Sequence, residues 1–216
     1  MSAIVSCLSQ KGGVGKSALA RLVAFEYARR RKRVLLADLD ALQATSLEWA
    51  ERRRAAGLLP AVPAQRCNTA KEAIKAADKV ELLVVDGPGF ADRQTMEAAL
   101  ASKAVLLPTG LGVDDLRPSV RLAHELVAGG CERKRLVFCL LRTGTGQREI
   151  DEARHYLSAA NYRVVGETWP EKAGYRQAHD DGRAASEAFH PASRARAKAF
   201  IDAVGKVLDG LLWGRG

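Results

Sequence analysis

Two lysines, three glycines and a serine crowd into eight consecutive positions, Gln10-Lys11-Gly12-Gly13-Val14-Gly15-Lys16-Ser17. Glycine permits tight and left-handed backbone, so successive N–H groups there can converge on one anion. Lys16 could then reach the outer phosphates of a nucleotide, and the Ser17 hydroxyl could ligate Mg²⁺. Carboxylates that could complete such a site stand further along. Asp38 and Asp40 are two apart at the end of the apolar run Leu35-Leu36-Ala37, so on an extended strand both point the same way. Asp86 closes a second apolar run, Leu82-Leu83-Val84-Val85, the arrangement in which a carboxylate meets Mg²⁺ through water.

Such groups work only if the chain holds them together. The glycine stretch comes after an apolar run, Ala3 to Leu8, and precedes a helix-like run beginning at Ala18, so the order is strand, loop, helix. The helix N-terminus adds its partial positive charge to the loop. Strands are predicted at 3–8, 33–37, 81–85, 103–107, 135–140 and 162–165, with a weaker one at 62–66. Helices are predicted near 17–31, 44–56, 69–77, 92–101, 114–128 and 147–159. Alternation of this kind implies an α/β fold, one doubly wound domain over 1–216 with a mostly parallel sheet flanked by helices. Strands apolar on both sides fit a sheet covered on both faces, with ligands at the C-terminal strand ends. A last helix is predicted over about 191–213. Its stripe of Ala199/Phe200, Ala203/Val204, Val207/Leu208 and Leu211/Leu212 suits docking on the sheet.

Bulk composition narrows the class. The 216 residues are enough for one sizeable core, and no apolar run is long enough to span a membrane. The N-terminus runs directly into a strand, without the segments of an export signal. Cys7, Cys67, Cys131 and Cys139 are scattered, which argues against zinc or a disulfide framework and fits a reducing cytoplasm. The four histidines, His124, His155, His179 and His190, read as surface or capping residues. A net charge of +9 attracts polyanions, nucleic acid foremost, although an excess of this size also serves solubility.

The common phosphate loop, G-x-x-x-x-G-K-[ST], has glycine where this chain has Gln10, and it has no need of Lys11. With both features the stretch resembles the deviant loop of the ParA/MinD family of dimeric ATPases. Asp38-Leu39-Asp40 resembles that family's Asp-x-Asp motif, and Asp86-Gly87-Pro88-Gly89 resembles its Asp-x-Pro-Gly form of Walker B. The family usually continues Asp-x-Asp with Pro-Gln, where Ala41-Leu42-Gln43 stands here. Val105-Leu106-Leu107-Pro108 with Asp114-Asp115-Leu116 is similar to the strand, loop and dimer-contacting helix beyond Walker B. Leu140-Leu141-Arg142-Thr143-Gly144-Thr145 looks like the segment near the adenine, with Leu141 where Asn is common. Pro170 to Ala178 resembles the segment that wraps the base. Nothing precedes the first strand, so the chain looks like the small plasmid-type partition ATPases that lack a helix-turn-helix domain.

The resemblance implies ATP and Mg²⁺ as ligands. The nucleotide would be held by Lys11, Gly12, Gly13, Val14, Gly15, Lys16, Ser17 and Ala18, with Arg142 and Pro170 at the base. Mg²⁺ would be held by Ser17 directly and by Asp38 and Asp86 through water. Asp40 would orient or deprotonate the attacking water, and Lys11 would cross to the nucleotide of a second subunit. The resemblance further implies a slow ATPase whose ATP-bound homodimer binds DNA non-specifically, in the cytoplasm on the nucleoid. A ParB-type or ribbon-helix-helix centromere-binding protein would stimulate hydrolysis. Candidate DNA-binding residues are Arg183, Arg194, Arg196 and Lys198. Other readings stay open: a MinD-like membrane switch using the apolar tail Val207 to Trp213, an ATPase positioning a protein cargo, or an ATP-dependent ligase or amidotransferase on the same fold. A nitrogenase-type iron protein would need cysteines after Walker B, and none falls there.

Overall fold

The computed structural model describes residues 2–40, 44–89, 92–144 and 146–214. Among these residues eight strands and eight α-helices run in order: β1 (Ala3–Cys7), α1 (Lys16–Arg29), β2 (Val34–Asp38), α2 (Thr45–Ala55), β3 (Ala64–Arg66), α3 (Ala70–Ala76), β4 (Leu82–Asp86) and α4 (Arg93–Ala101), then β5 (Ala104–Thr109), α5 (Val113–Ala128), β6 (Leu136–Thr143), α6 (Gln147–Ala159), β7 (Arg163–Val164), β8 (Trp169–Pro170), α7 (Ala173–Asp180) and α8 (Pro191–Trp213). Every strand pairing is parallel, in the order β3-β2-β4-β1-β5-β6-β7, with β8 added beside the end of β6. The expected strands and helices all form, within a residue or two of their predicted bounds except that β6 runs three residues further, to Thr143.

This order puts β1 at the centre, between β4 and β5. The chain leaves β1 toward one edge and later returns past it to the other, which makes its C-terminal end a switch point where a crevice opens. Register places Cys7 beside Asp86, and Asp86 beside Asp38. Three strands therefore deliver the glycine loop, Asp38 and Asp86 to one edge.

Both sheet faces are packed, and β4 and β5 are buried along their whole length. One face carries α1 and α8 over Val5, Leu36, Val84, Leu106 and Val137. The other carries α3 to α6 over Leu83, Val85, Val105, Leu107 and Phe138. Helix α1 is buried from Leu19 to Ala28, because α8 covers the side turned away from the sheet. Tyr27 donates to Asp209 Oδ1 at 2.7 Å, and Arg30 Nη1 to Asp209 Oδ2 at 3.0 Å, joining the two helices. The predicted stripe of α8 docks through Phe200, Val204, Leu208 and Leu212, with Ile201 added, while Ala199 remains exposed.

Two elements were not expected. Strand β8 is two residues long, too short for any periodicity to show, and α7 is a polar helix that buries only Tyr175 and Ala178. Both are tertiary in origin: Leu141 pairs with Trp169, and Tyr175 Oη donates to the Ser193 carbonyl at 2.9 Å.

Candidate functional site

The glycine loop leaves β1 and ends as α1 begins. Gly13 and Gly15 adopt φ of 74° and 96°, left-handed values that glycine takes without strain. At Gly15 space is tight as well, since a Cβ would stand 3.1 Å from Leu141 Cδ1. The amides of Gly12, Gly13 and Gly15 find no protein acceptor among the described residues. Such a cradle of unsatisfied N–H groups at a helix N-terminus suits an anion.

Charged side chains converge beneath it. Lys16 Nζ donates to Asp86 Oδ1 at 2.8 Å and to the Gly87 carbonyl at 2.5 Å. Ser46 Oγ donates to the other carboxylate oxygen of Asp86 at 2.7 Å and accepts from Arg21 Nε at 3.2 Å. Asp38 is fully buried, and its oxygens accept from the amides of Asp40 (3.0 Å), Ser46 (2.8 Å) and Leu47 (3.1 Å). It therefore caps the N-terminus of α2 from across the crevice. Burial, then the charge of Asp86, pushes the Asp38 carboxyl above its usual range, and the three amides oppose this.

Two of the cavities that border the loop bear on a ligand. One, of about 490 Å³, is lined by Lys11, Lys16, Ser17, Arg21, Asp40 and Thr45, with the glycines. The other, of about 340 Å³, opens over Ala18 and is lined by Leu141, Trp169, Tyr175 and His179, with Arg142 and Pro170 at its rim. Trp169 and Tyr175 meet edge to face, with ring centres 5.5 Å apart. An apolar slot with a few polar groups beside a phosphate cradle suits a nucleotide base. Arg142, itself at φ 55°, reaches back: Nη1 donates to the Gly13 carbonyl at 2.6 Å and Nε to Glu171 at 2.6 Å. Leu141 is buried against the loop and presents no hydrogen-bonding group to a base. Lys11 lies on the outer side of the loop, ion-paired with Asp115 on α5.

The sequence-predicted loop residues, Asp38, Asp40, Asp86, Arg142 and Pro170 thus gather at one crevice. Arg194, Arg196 and Lys198 lie exposed on the first half of α8. Arg194 reaches the Ala188 carbonyl at 3.5 Å, Lys198 pairs with Asp202 at 2.8 Å, and the half-buried Arg183 stacks on Phe189. Residues 41–43, where the sequence departs from Pro-Gln, and Thr145 fall outside the described residues.

Reading by motif missed Ser46, Arg21 and His179. Of these, Arg21 carries a signal in spacing, since it stands one turn beyond Ser17 on the same face. His179 corrects an expectation. It is half-buried, with Nε2 shielded from solvent, and burial, then Arg21 and Arg52, depress its pKa to about 3.

Residues 5–208 match the family described as the CobQ/CobB/MinD/ParA nucleotide binding domain. The chain belongs to this family. Its fold is shared by the cell division ATPase MinD of Pyrococcus furiosus, at 19% identity over 96% of this chain and 100% of that one, with TM-score 0.72. A putative plasmid partition protein of Borrelia burgdorferi B31 bound to AMPPNP gives TM-score 0.69 at 15% identity, covering 95% and 99% of the two chains. A ParA family ATPase of Chlorobium tepidum TLS gives 0.67 at 16%, covering 96% and 99%. No curated protein sequence matches. In a member of this nucleotide-binding family, the cradle, the lysine-bearing helix start and the strand-end aspartates form an arrangement that suits a nucleotide. Among the described residues no group of three or more His, Cys, Asp or Glu could cage a metal. Mg²⁺, which keeps several waters and needs only one or two carboxylates beside phosphates, fits this donor set.

Proposed function

We propose that this chain is an ATPase in which Mg-ATP drives dimerisation, the dimer binds DNA without sequence preference, and slow hydrolysis releases it, as in DNA partition. One observation carries the reading: the unsatisfied loop amides, Lys16 and Asp86 meet at one strand edge while a second lysine, Lys11, stands half-exposed on the loop's outer side. Lys16 and the loop amides hold the phosphates, and Ala18, Arg142 and Pro170 border the base. Mg²⁺, held by Ser17 and through water by Asp38 and Asp86, would neutralise charge on the phosphates. Asp40, at the cavity wall, orients the attacking water. Lys11 leaves Asp115 for the nucleotide of a second subunit, so the phosphates become part of the interface and two states differ by a ligand.

Joining two subunits doubles the phosphate contacts available to Arg183, Arg194, Arg196 and Lys198, which raises affinity and steepens salt dependence. A ParB-type or ribbon-helix-helix protein is the partner that accelerates hydrolysis. The rival reading, a MinD-like membrane-positioning ATPase, draws on the MinD among the structural neighbours. Against it, Leu208 and Leu212 of the apolar tail are spent on the core.

A DNA titration with ATP, ADP and no nucleotide, at two salt concentrations, tests the reading. Binding with ATP alone, falling steeply with salt, is expected. Equal binding in all three states, or ATP-dependent flotation with liposomes in place of DNA binding, would overturn it.

A further inference from the structure

We propose that Arg21 is a substrate-contacting residue: a cation on α1, one turn beyond Ser17, that binds the phosphates of the nucleotide from within the same subunit. The assignment rests on the nucleotide-site reading above. Arg21 is only 7% exposed, yet it lines the loop cavity beside Lys16, Ser17, Asp40 and Thr45. Among the described residues its guanidinium makes one hydrogen bond, Nε to Ser46 Oγ at 3.2 Å, and no carboxylate lies within ion-pair range of it. Helical side chains lean toward the N-terminus of their helix, so a long side chain at position 21 extends back over the turn that holds Ser17.

Arg53 shows what a buried arginine looks like when its role is structural. It is 1% exposed, pairs with Glu187 at 2.6 Å, donates to the Pro60 and Gly182 carbonyls, and lies over the Phe25 ring. Every face of that guanidinium is used. Arg21 is nearly as buried and keeps its terminal nitrogens for the cavity. Desolvation disfavours a buried guanidinium unless it is paired, and no paired carboxylate is at hand. Burial holds its pKa below the ordinary value, although Asp86, Asp38 and Glu48 act on it without pairing and oppose the shift. A polyphosphate in the cavity supplies the missing counter-charge, and the planar fork of arginine suits phosphate oxygens. Because Ser46 also donates to Asp86, the same contact ties the cation to the carboxylate assigned to Mg²⁺.

The test uses the full chain and the variants R21M, R21Q, R21K and K16A. Calorimetry gives affinities for ATP, ADP and AMP, and thermal melting is monitored with and without Mg-ATP. R21M is expected to melt at or above the wild-type temperature without nucleotide, because an unpaired buried charge is gone. It is expected to bind ATP at least tenfold more weakly, with a smaller loss for AMP, and R21K is expected to recover part of the loss. Wild-type ATP affinity in R21M, with or without a lower melting temperature, would make Arg21 a mere prop for Ser46 and overturn the assignment. Should R21M fail to fold, R21Q decides in the same way, since it keeps a donor for Ser46 without charge. The two readings fail separately. If K16A loses ATP and R21Q does not, only the Arg21 assignment falls; if the wild type binds no nucleotide, both fall.

Discussion

Lys16 donates to two acceptors beneath the loop, so its charge is held where phosphates would lie. Lys16→Ala should weaken ATP binding by about 1.5–3 kcal/mol, roughly 10- to 100-fold, as expected for a charged hydrogen bond; calorimetry checks this. Asp40→Ala should still bind ATP and dimerise but turn over roughly 10²-fold more slowly or worse. Wild-type turnover in that variant would remove Asp40 from the chemistry. His179 gives a pH signature. Its folded pKa of about 3 lies below its ordinary 6.5, so the unfolded chain binds the proton first. Stability from this residue is complete above about pH 6.5 and is lost as pH falls toward 3, amounting to about 2 kcal/mol by pH 5. Urea unfolding of His179→Gln should show that much less loss between pH 7 and pH 5 than the wild type, and parallel losses would refute the burial account. At this scale the carboxylates and lysines were legible because their types and spacing derive from phosphate chemistry. Ser46 and His179 were not, and Arg21 only through its four-residue spacing from Ser17, because what distinguishes the three is burial beside one another, which α1, α2 and α7 create only on folding.

Between elements, the seam joining α2 to the turn after α7 is held by Arg53, whose partner Glu187 is 18% exposed. Gly182 passes so close that a Cβ would lie 2.4 Å from the Arg53 amide nitrogen. Arg53→Met leaves Glu187 without its cation and should cost about 3–5 kcal/mol, while R53M with E187Q should recover part of this in a double-mutant cycle. Additive losses in chemical denaturation would mean that the pair is not coupled. The sequence announced the strands well, because runs such as Leu82 to Val85, buried on both faces, contain little else than apolar residues. It did not announce β8 and α7. The two residues of β8 and the polar sequence of α7 take shape from the end of β6 and from α8, against which they lie.

For the whole molecule, the net charge of +9 gains direction only if cations cluster, and on the exposed first half of α8 Arg194 and Lys198 share a face, with Arg196 on another. Replacing the three by alanine should lower DNA affinity and reduce the slope of log affinity against log salt by about 2–3 per subunit, leaving ATPase activity intact. An unchanged slope would place the DNA surface elsewhere. The overall layout was readable because alternating runs leave few arrangements of a parallel sheet, whereas the way helices cover one another on its faces was not. The bond of Tyr27 and Arg30 to Asp209 has a mechanical outcome. Under the proposed function phosphate arrives at one end of α1 while the other end is bolted to α8, so a tilt at the loop would travel along a stiff rod of 14 residues to the arginine-bearing helix.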